Sequence, residues 1–248
     1  MFPIRDHNPS ERTPYVTWVL MAANIGVWLL QMAMVQSDEA LAFLYYNYAM
    51  IPARITNGEA YHTLLTSIFL HAGFMHLAGN MLFLWIFGDN LEDQMGHGPF
   101  LLFYLAAGVG AGLAQFLAAP WSPIPTVGAS GAIAGVMGGY LLLFPRARVD
   151  MLLFLVFIIR IFRWPAWVML IVWFGIQLVS GVGAPADQGG VAYWAHAGGF
   201  ALGLVLTLPV FLRRGGPAFW SRTHGEPPHP EARYKLERTS VPRVTRRR

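Results

Sequence analysis

Apolar residues fall in six blocks along the chain, separated by polar connections: Tyr15 to Val35, Thr63 to Gly88, Phe100 to Pro120, Gly128 to Phe144, Pro165 to Val182 and Ala192 to Leu212. Each approaches the ~20 apolar residues that cross a ~30 Å hydrocarbon core as a helix. The pattern predicts an all-α polytopic membrane protein, a bundle of six transmembrane helices. The fourth and fifth blocks are short, so their ends are expected below a membrane surface or inside a protein-lined cavity. A further apolar stretch, "MLLFLVFII" from Met151 to Ile159, is too short to span and ends between Arg160 and Arg163. It reads as an interfacial or re-entrant piece.

Composition agrees with that pattern. Apolar residues make up 55% of the chain and charged residues 12%, where a soluble domain carries about a quarter. Cysteine is absent, which excludes disulfides, thiolate nucleophiles and cysteine-based metal sites. The polar start, "MFPIRDHNPSERTPY", precedes the first block without an evident small-residue cleavage site, so that block is expected to be a retained span.

Charge adds orientation and boundaries. Arg5 and Arg12 precede the first span, four arginines lie between the fourth and fifth, and ten basic residues follow the sixth. Arg54 is the only basic residue on the other side. The positive-inside rule then puts both termini in the cytoplasm and the start of the fourth span outside. The loop "GDNLEDQMGHG" (Gly88 to Gly98) is acidic on the cytoplasmic side, a small conflict with little weight in that rule. The expected organisation is a cytoplasmic segment over 1–14, a six-helix membrane domain over 15–212, and a basic, disordered cytoplasmic tail over 213–248. The tail suits anionic lipid and contains no nucleic-acid module, so the bilayer is the expected partner there.

Polar side chains within a bilayer are costly and are functional candidates by default. His71, His76 and Asn80 lie in the second block, Ser130 heads the fourth, and His196 lies in the sixth. His76 and Asn80, four apart, share a helix face, whereas His71 is turned by roughly 140° at 100° per residue. Taken alone, His76 and Asn80 read as hydrogen-bonding glue between helices, and His71 as a residue orienting a loop.

Small residues change that balance. Gly131, Gly135 and Gly139 repeat at a four-residue step after Ser130, and Gly199 and Gly203 do so after His196. Such faces let two backbones approach closely. If they meet, Ser130 and His196 come together as nucleophile and general base. No Asp or Glu lies near the outer ends of these spans, so the arrangement is a dyad. An oxyanion would find the Ser130 backbone N–H at the first turn of a helix, with His76 and Asn80 as side-chain donors. His71, Gly128, Gly131, Gly199 and Gly203 are supporting candidates. The chain lacks H-E-x-x-H, Ile86 breaks G-x-G-D, and Ala132 breaks G-x-S-x-G, which excludes zincin, that aspartyl motif and a soluble hydrolase elbow. No cofactor or metal is implied.

With these residues the chain resembles the rhomboid family of intramembrane serine proteases. The similar stretches are "GASG" around Ser130, "HAGFMHLAGN" from His71 to Asn80, and "AHAGGFALG" from Ala195 to Gly203, with "IRDHNPSERTPYVT" and "FRWPAW" resembling bacterial members. The resemblance implies a six-helix rhomboid-like bundle and a Ser130–His196 dyad. The implied oxyanion site is the Ser130 N–H with His76 and Asn80. Implied substrates are single-span membrane proteins, cut in or near the membrane after a small residue, and the implied location is a bacterial inner membrane.

Two positions depart from the family pattern. His62 and Thr63 stand where many members carry Trp-Arg, and Ala134 stands where several carry an aromatic that stacks on the catalytic histidine. Glu92 matches a structural, cytoplasmic family carboxylate. An alternative from another class is a catalytically silent rhomboid-like protein that binds membrane clients; retention of both nucleophile and base argues for the enzyme. A transporter would show repeated halves, and none is visible.

Overall fold

The structure, a computed structural model, describes residues 2–8, 10–155, 158–183 and 190–226. Strand β1 (Phe2–Asp6) is followed by helices α1 (Tyr15–Met34), α2 (Asp38–Tyr48), α3 (Pro52–Thr56) and α4 (Thr63–Thr66). A 3-10 turn (Ser67–Phe69) leads to α5 (Phe74–Met95), α6 (His97–Ala118) and α7 (Ser130–Leu143). Strands β2 (Arg148–Leu155) and β3 (Ile158–Pro165) precede α8 (Ala166–Gly183), α9 (Tyr193–Arg213) and α10 (Pro217–Thr223).

Helix α7 is the centre of the bundle. Eleven of its fourteen residues are buried, as expected of a helix apolar on every side. Fourteen residues rise only about 21 Å, so α7 alone is too short to cross, as its sequence block predicts. Helices α5, α6, α8 and α9 pack around it. By length and hydropathy α1, α6, α8 and α9 can each cross a membrane. Exposed apolar side chains line α1 (Val19, Leu29, Leu30) and α8 (Ile171, Val172, Ile176, Val179), as lipid-facing helices require.

The second block is not one straight helix. It breaks between Phe69 and Phe74, and the two pieces are bent by 93°. Leu70 and Gly73 are extended there, which ends one helix and starts another. His71 therefore lies in the bend, and only His76 and Asn80 lie on α5. Helix α5 also runs past Gly88 to Met95, so most of the expected acidic loop is helix. The turn into α6 is a single residue, Gly96, at φ +83°.

The acidic residues at this end have a structural use. Glu92 is buried and accepts hydrogen bonds from Val16 N–H (2.9 Å), Thr17 N–H (2.8 Å) and the Thr17 hydroxyl (2.7 Å). Asp93 accepts from the N–H groups of Glu11 and Arg12. Glu92 thus satisfies unpaired donors of the first turn of α1 and opposes its positive dipole end, while Asp93 holds the segment that leads into it.

The stretch expected as an interfacial or re-entrant piece, Met151 to Ile159, is β-strand in its described residues. Strands β2 and β3 pair antiparallel, and β1 adds to β2. Asp150 ties the three strands, accepting from Arg5 Nε and pairing with His7 Nε2, both at 2.8 Å, with Arg163 Nε at 3.5 Å. Burial alone would raise its carboxyl, but His7 and Arg5 hold it below the usual carboxylate range. The beginning of the expected disordered tail is also folded. Phe219 of α10 is buried beside Phe144, and Trp220 Nε1 donates to Leu142 O. Positions 227–248 of that tail lie outside the described residues.

Candidate active site

The contact between α7 and α9 rests on glycine. A Cβ at Gly199 would lie 2.2 Å from the Gly131 carbonyl oxygen, and one at Gly203 would lie 2.0 Å from that of Gly135. The two backbones thus touch with no side chain between them. The pairing predicted for Gly131 and Gly135 with Gly199 and Gly203 is present. Gly139 meets side chains, with an added Cβ 2.5 Å from Thr207 Oγ1 of α9 and 2.8 Å from Leu91 Cδ2 of α5. Gly138 takes that place instead, 2.2 Å from the Phe200 carbonyl oxygen.

This contact brings Ser130, the first residue of α7, to His196, in the first turn of α9. Ser130 Oγ lies 2.8 Å from His196 Nε2. His196 Nδ1 lies 2.8 Å from the side-chain oxygen of Gln177 on α8. An amide oxygen only accepts, so Nδ1 carries the ring proton and Nε2 presents its lone pair to the serine hydroxyl. Trp173, one turn before Gln177, lies tilted beside the ring at 5.7 Å between centroids and 34° between planes. Gln115 of α6 fixes the start of α9 by accepting the Ala195 N–H at 3.2 Å.

Ser130, His196, His76 and Asn80 line one cavity of about 830 Å³. Gly128 sits against the last two. A Cβ there would lie 2.7 Å from His76 Cε1 and Nε2 and 3.6 Å from Asn80 Nδ2, and the backbone has φ +123°. Both the close approach and the conformation require glycine. Its own N–H is taken by Ser67 O at 2.9 Å. Asn80 Nδ2 is buried without a hydrogen-bond partner among the described residues. The N–H groups of Ser130, Gly131 and Ala132 likewise have no backbone acceptor there, since the first to be paired is Ile133 on Ala129 O. A group that gains negative charge beside Ser130 would meet unused donors.

His71 is not brought into the cavity. It is buried behind His76, with ring centroids 5.2 Å apart, and its backbone is held by Gln31 Nε2 donating to His71 O at 2.8 Å. His62, at one of the positions that departs from the family pattern, meets the Asn47 carbonyl through Nε2 at 2.9 Å. The loop beside the site is also pinned: Met50 and Thr126 exchange both backbone hydrogen bonds, and Ala53 N–H donates to Ser122 O. Sequence reasoning passed over Gln177, Trp173 and Gln115. A glutamine in an apolar span is a polar residue of the kind that singled out the histidines, and Trp173 and Gln177 stand four apart on one face.

Comparison with known proteins identifies the family to which the chain belongs. Residues 58–213 match the family model of the rhomboid domain. The chain is 49% identical over 87 residues to rhomboid protease GluP of Bacillus subtilis, covering 35% of this chain and 16% of that protein. It is 31% identical over 131 residues to rhomboid-like protein 11, chloroplastic, of Arabidopsis thaliana, covering 53% and 42%. It is 31% identical over 151 residues to rhomboid protein 1, mitochondrial, of Saccharomyces cerevisiae, covering 58% and 40%. The chain thus spans less than half the length of each of these relatives. More than half of it matches the family model, and it belongs to the rhomboid family of multi-pass membrane proteins.

Proposed function

We propose that the protein is an intramembrane serine endopeptidase that uses Ser130 as nucleophile and His196 as general base. The observation that carries this reading is the 2.8 Å contact between Ser130 Oγ and His196 Nε2 inside a cavity lined by unused hydrogen-bond donors. The hydroxyl gives its proton to Nε2 as Oγ attacks the scissile carbonyl carbon. The carbonyl oxygen takes up negative charge beside the Ser130 N–H, Asn80 Nδ2 and His76. The imidazolium then protonates the leaving amine, and an acyl-enzyme on Ser130 remains. Water, deprotonated by the same Nε2, releases the acid and restores the serine.

The substrates are transmembrane proteins, cut in or near the bilayer. Arg5, Arg12, Arg146, Arg148 and Arg213 lie at the end of the bundle opposite to Ser130, so both termini face the cytoplasm and the dyad opens outward. The host membrane is a bacterial inner membrane. Hydrolytic water enters past the loop from Trp121 to Val127, part of which lines the cavity.

Cleavage of a transmembrane reporter in proteoliposomes tests the reading. Ser130→Ala and His196→Ala should each abolish cleavage, and the double variant should be no worse, because such a pair acts as a unit. Substantial cleavage by Ser130→Ala removes the serine mechanism.

A further inference from the structure

We propose that Gln177 is the positioning residue of the dyad: its side-chain oxygen accepts the Nδ1 proton of His196 and so holds the imidazole in the one tautomer that can act as a base. The inference rests on the serine-protease reading. Its point of departure is Ala134, fully buried on α7 one turn after Ser130. On α7 nothing larger than a methyl group is available at that position to orient His196. Helix α8 supplies the orientation instead, through two residues one turn apart. Trp173 lies against the ring, and Gln177 meets Nδ1 at 2.8 Å.

The amide has a defined direction. Its nitrogen faces the Trp173 carbonyl oxygen, four residues back on the same helix, at 3.5 Å, which leaves its oxygen for the ring. Gln177 is itself buried. Were the amide reversed, its NH₂ would donate to Nδ1, the proton would sit on Nε2, and Ser130 would have no base. The amide oxygen also remains an acceptor when Nε2 has taken the serine proton, and it then faces an imidazolium. Among the described residues lining the cavity, the other titratable groups are His76 of α5, Tyr45 of α2 and Tyr193 of α9. None is a carboxylate, so Gln177 is the acceptor that steadies the charged ring.

The test compares Gln177→Leu and Gln177→Glu with the wild type, using reporter cleavage in proteoliposomes from pH 5 to 9 alongside thermal unfolding. One net hydrogen bond corresponds to roughly a 3- to 10-fold change in rate. Gln177→Leu should therefore lower kcat by about that factor and leave KM unchanged. Gln177→Glu keeps an acceptor at the ring and adds charge. A carboxylate beside an imidazolium favours the protonated ring, so the acidic limb of the pH profile should move upward by roughly 1–3 pH units, with activity recovered above it. A merely structural glutamine would not move that limb. Should Gln177→Leu fail to fold, the pH profile of Gln177→Glu decides alone. An unmoved acidic limb in Gln177→Glu, or wild-type kcat in Gln177→Leu, overturns the inference and leaves the Ser130 mechanism standing. Cleavage by Ser130→Ala would instead remove the reading on which it rests.

Discussion

Gly199→Ala is the most economical perturbation of the site, because it adds one methyl group and no polarity. The added Cβ would sit 2.2 Å from the Gly131 carbonyl oxygen and 3.0 Å from its carbonyl carbon, where ordinary contact begins at 3.4 Å. The opposing atoms are backbone, so no rotamer can relieve them, and α7 and α9 must part by about 1 Å. Gly131 follows Ser130 directly, and Gly199 lies one turn after His196, so that shift reaches the 2.8 Å Ser130–His196 contact almost undiminished. Misplacing reacting groups by about 1 Å can cost about 10² in rate, and forcing an extra carbon into a packed core costs typically 1–3 kcal/mol. Reporter cleavage and thermal unfolding should both fall by amounts of this size. Gly175→Ala is the control: nothing lies within 4 Å of its added Cβ on α8, and alanine for glycine in a helix is favourable by roughly 1 kcal/mol. Cleavage by Gly199→Ala at the wild-type rate would refute the backbone contact as the device that aligns the dyad.

Three further outcomes follow from named contacts. Asn80→Ala removes one unpaired donor and should slow cleavage by less than the roughly 10²–10³ seen for such a donor in a soluble protease, with His76→Ala more severe; equal and negligible effects in kcat would make that face structural glue. Glu92→Ala leaves the N–H groups of Val16 and Thr17 without their acceptor, so thermal unfolding in detergent should show a loss of about 2–3 kcal/mol, and an unchanged midpoint would contradict the capping role. The Asp6 carboxyl is pushed up to about 7 by burial and then by the charge of Asp89. The folded state therefore holds that proton more tightly than the unfolded chain, and the stability it contributes at low pH is lost as pH rises through about 7. Asp6→Asn should flatten the fall in thermal stability between pH 4 and 8, and a slope identical to the wild type would contradict this.

The helical bundle was legible because its signals are local. Blocks of apolar residues set the spans, and glycines four apart announced where two backbones would meet. The approach of Ser130 to His196 followed from those same glycines, since close packing fixes what lies beside it. What the pattern concealed was set by distant partners. The break at Leu70–Gly73 occurs in a run whose hydropathy is continuous across the bend. Strands β2 and β3 owe their place to β1 and to Asp150, whose partners Arg5 and His7 are far away in sequence. Glu92 was expected to be structural from the family resemblance, but its partners became visible only once α1 supplied the donors it satisfies. Gln177 was hidden in a different way. A lone glutamine in an apolar helix is a weak signal, and only the position of His196 gives it a meaning.

The most direct measurement is covalent labelling of the purified, membrane-reconstituted protein with a fluorophosphonate, followed by mass spectrometry of the adduct. A single phosphonylated residue, Ser130, is expected, with labelling abolished in Ser130→Ala and in His196→Ala, and loss of reporter cleavage in proportion to labelling. An adduct at another residue, or undiminished labelling and cleavage in Ser130→Ala, would contradict the assignment of Ser130 as the nucleophile.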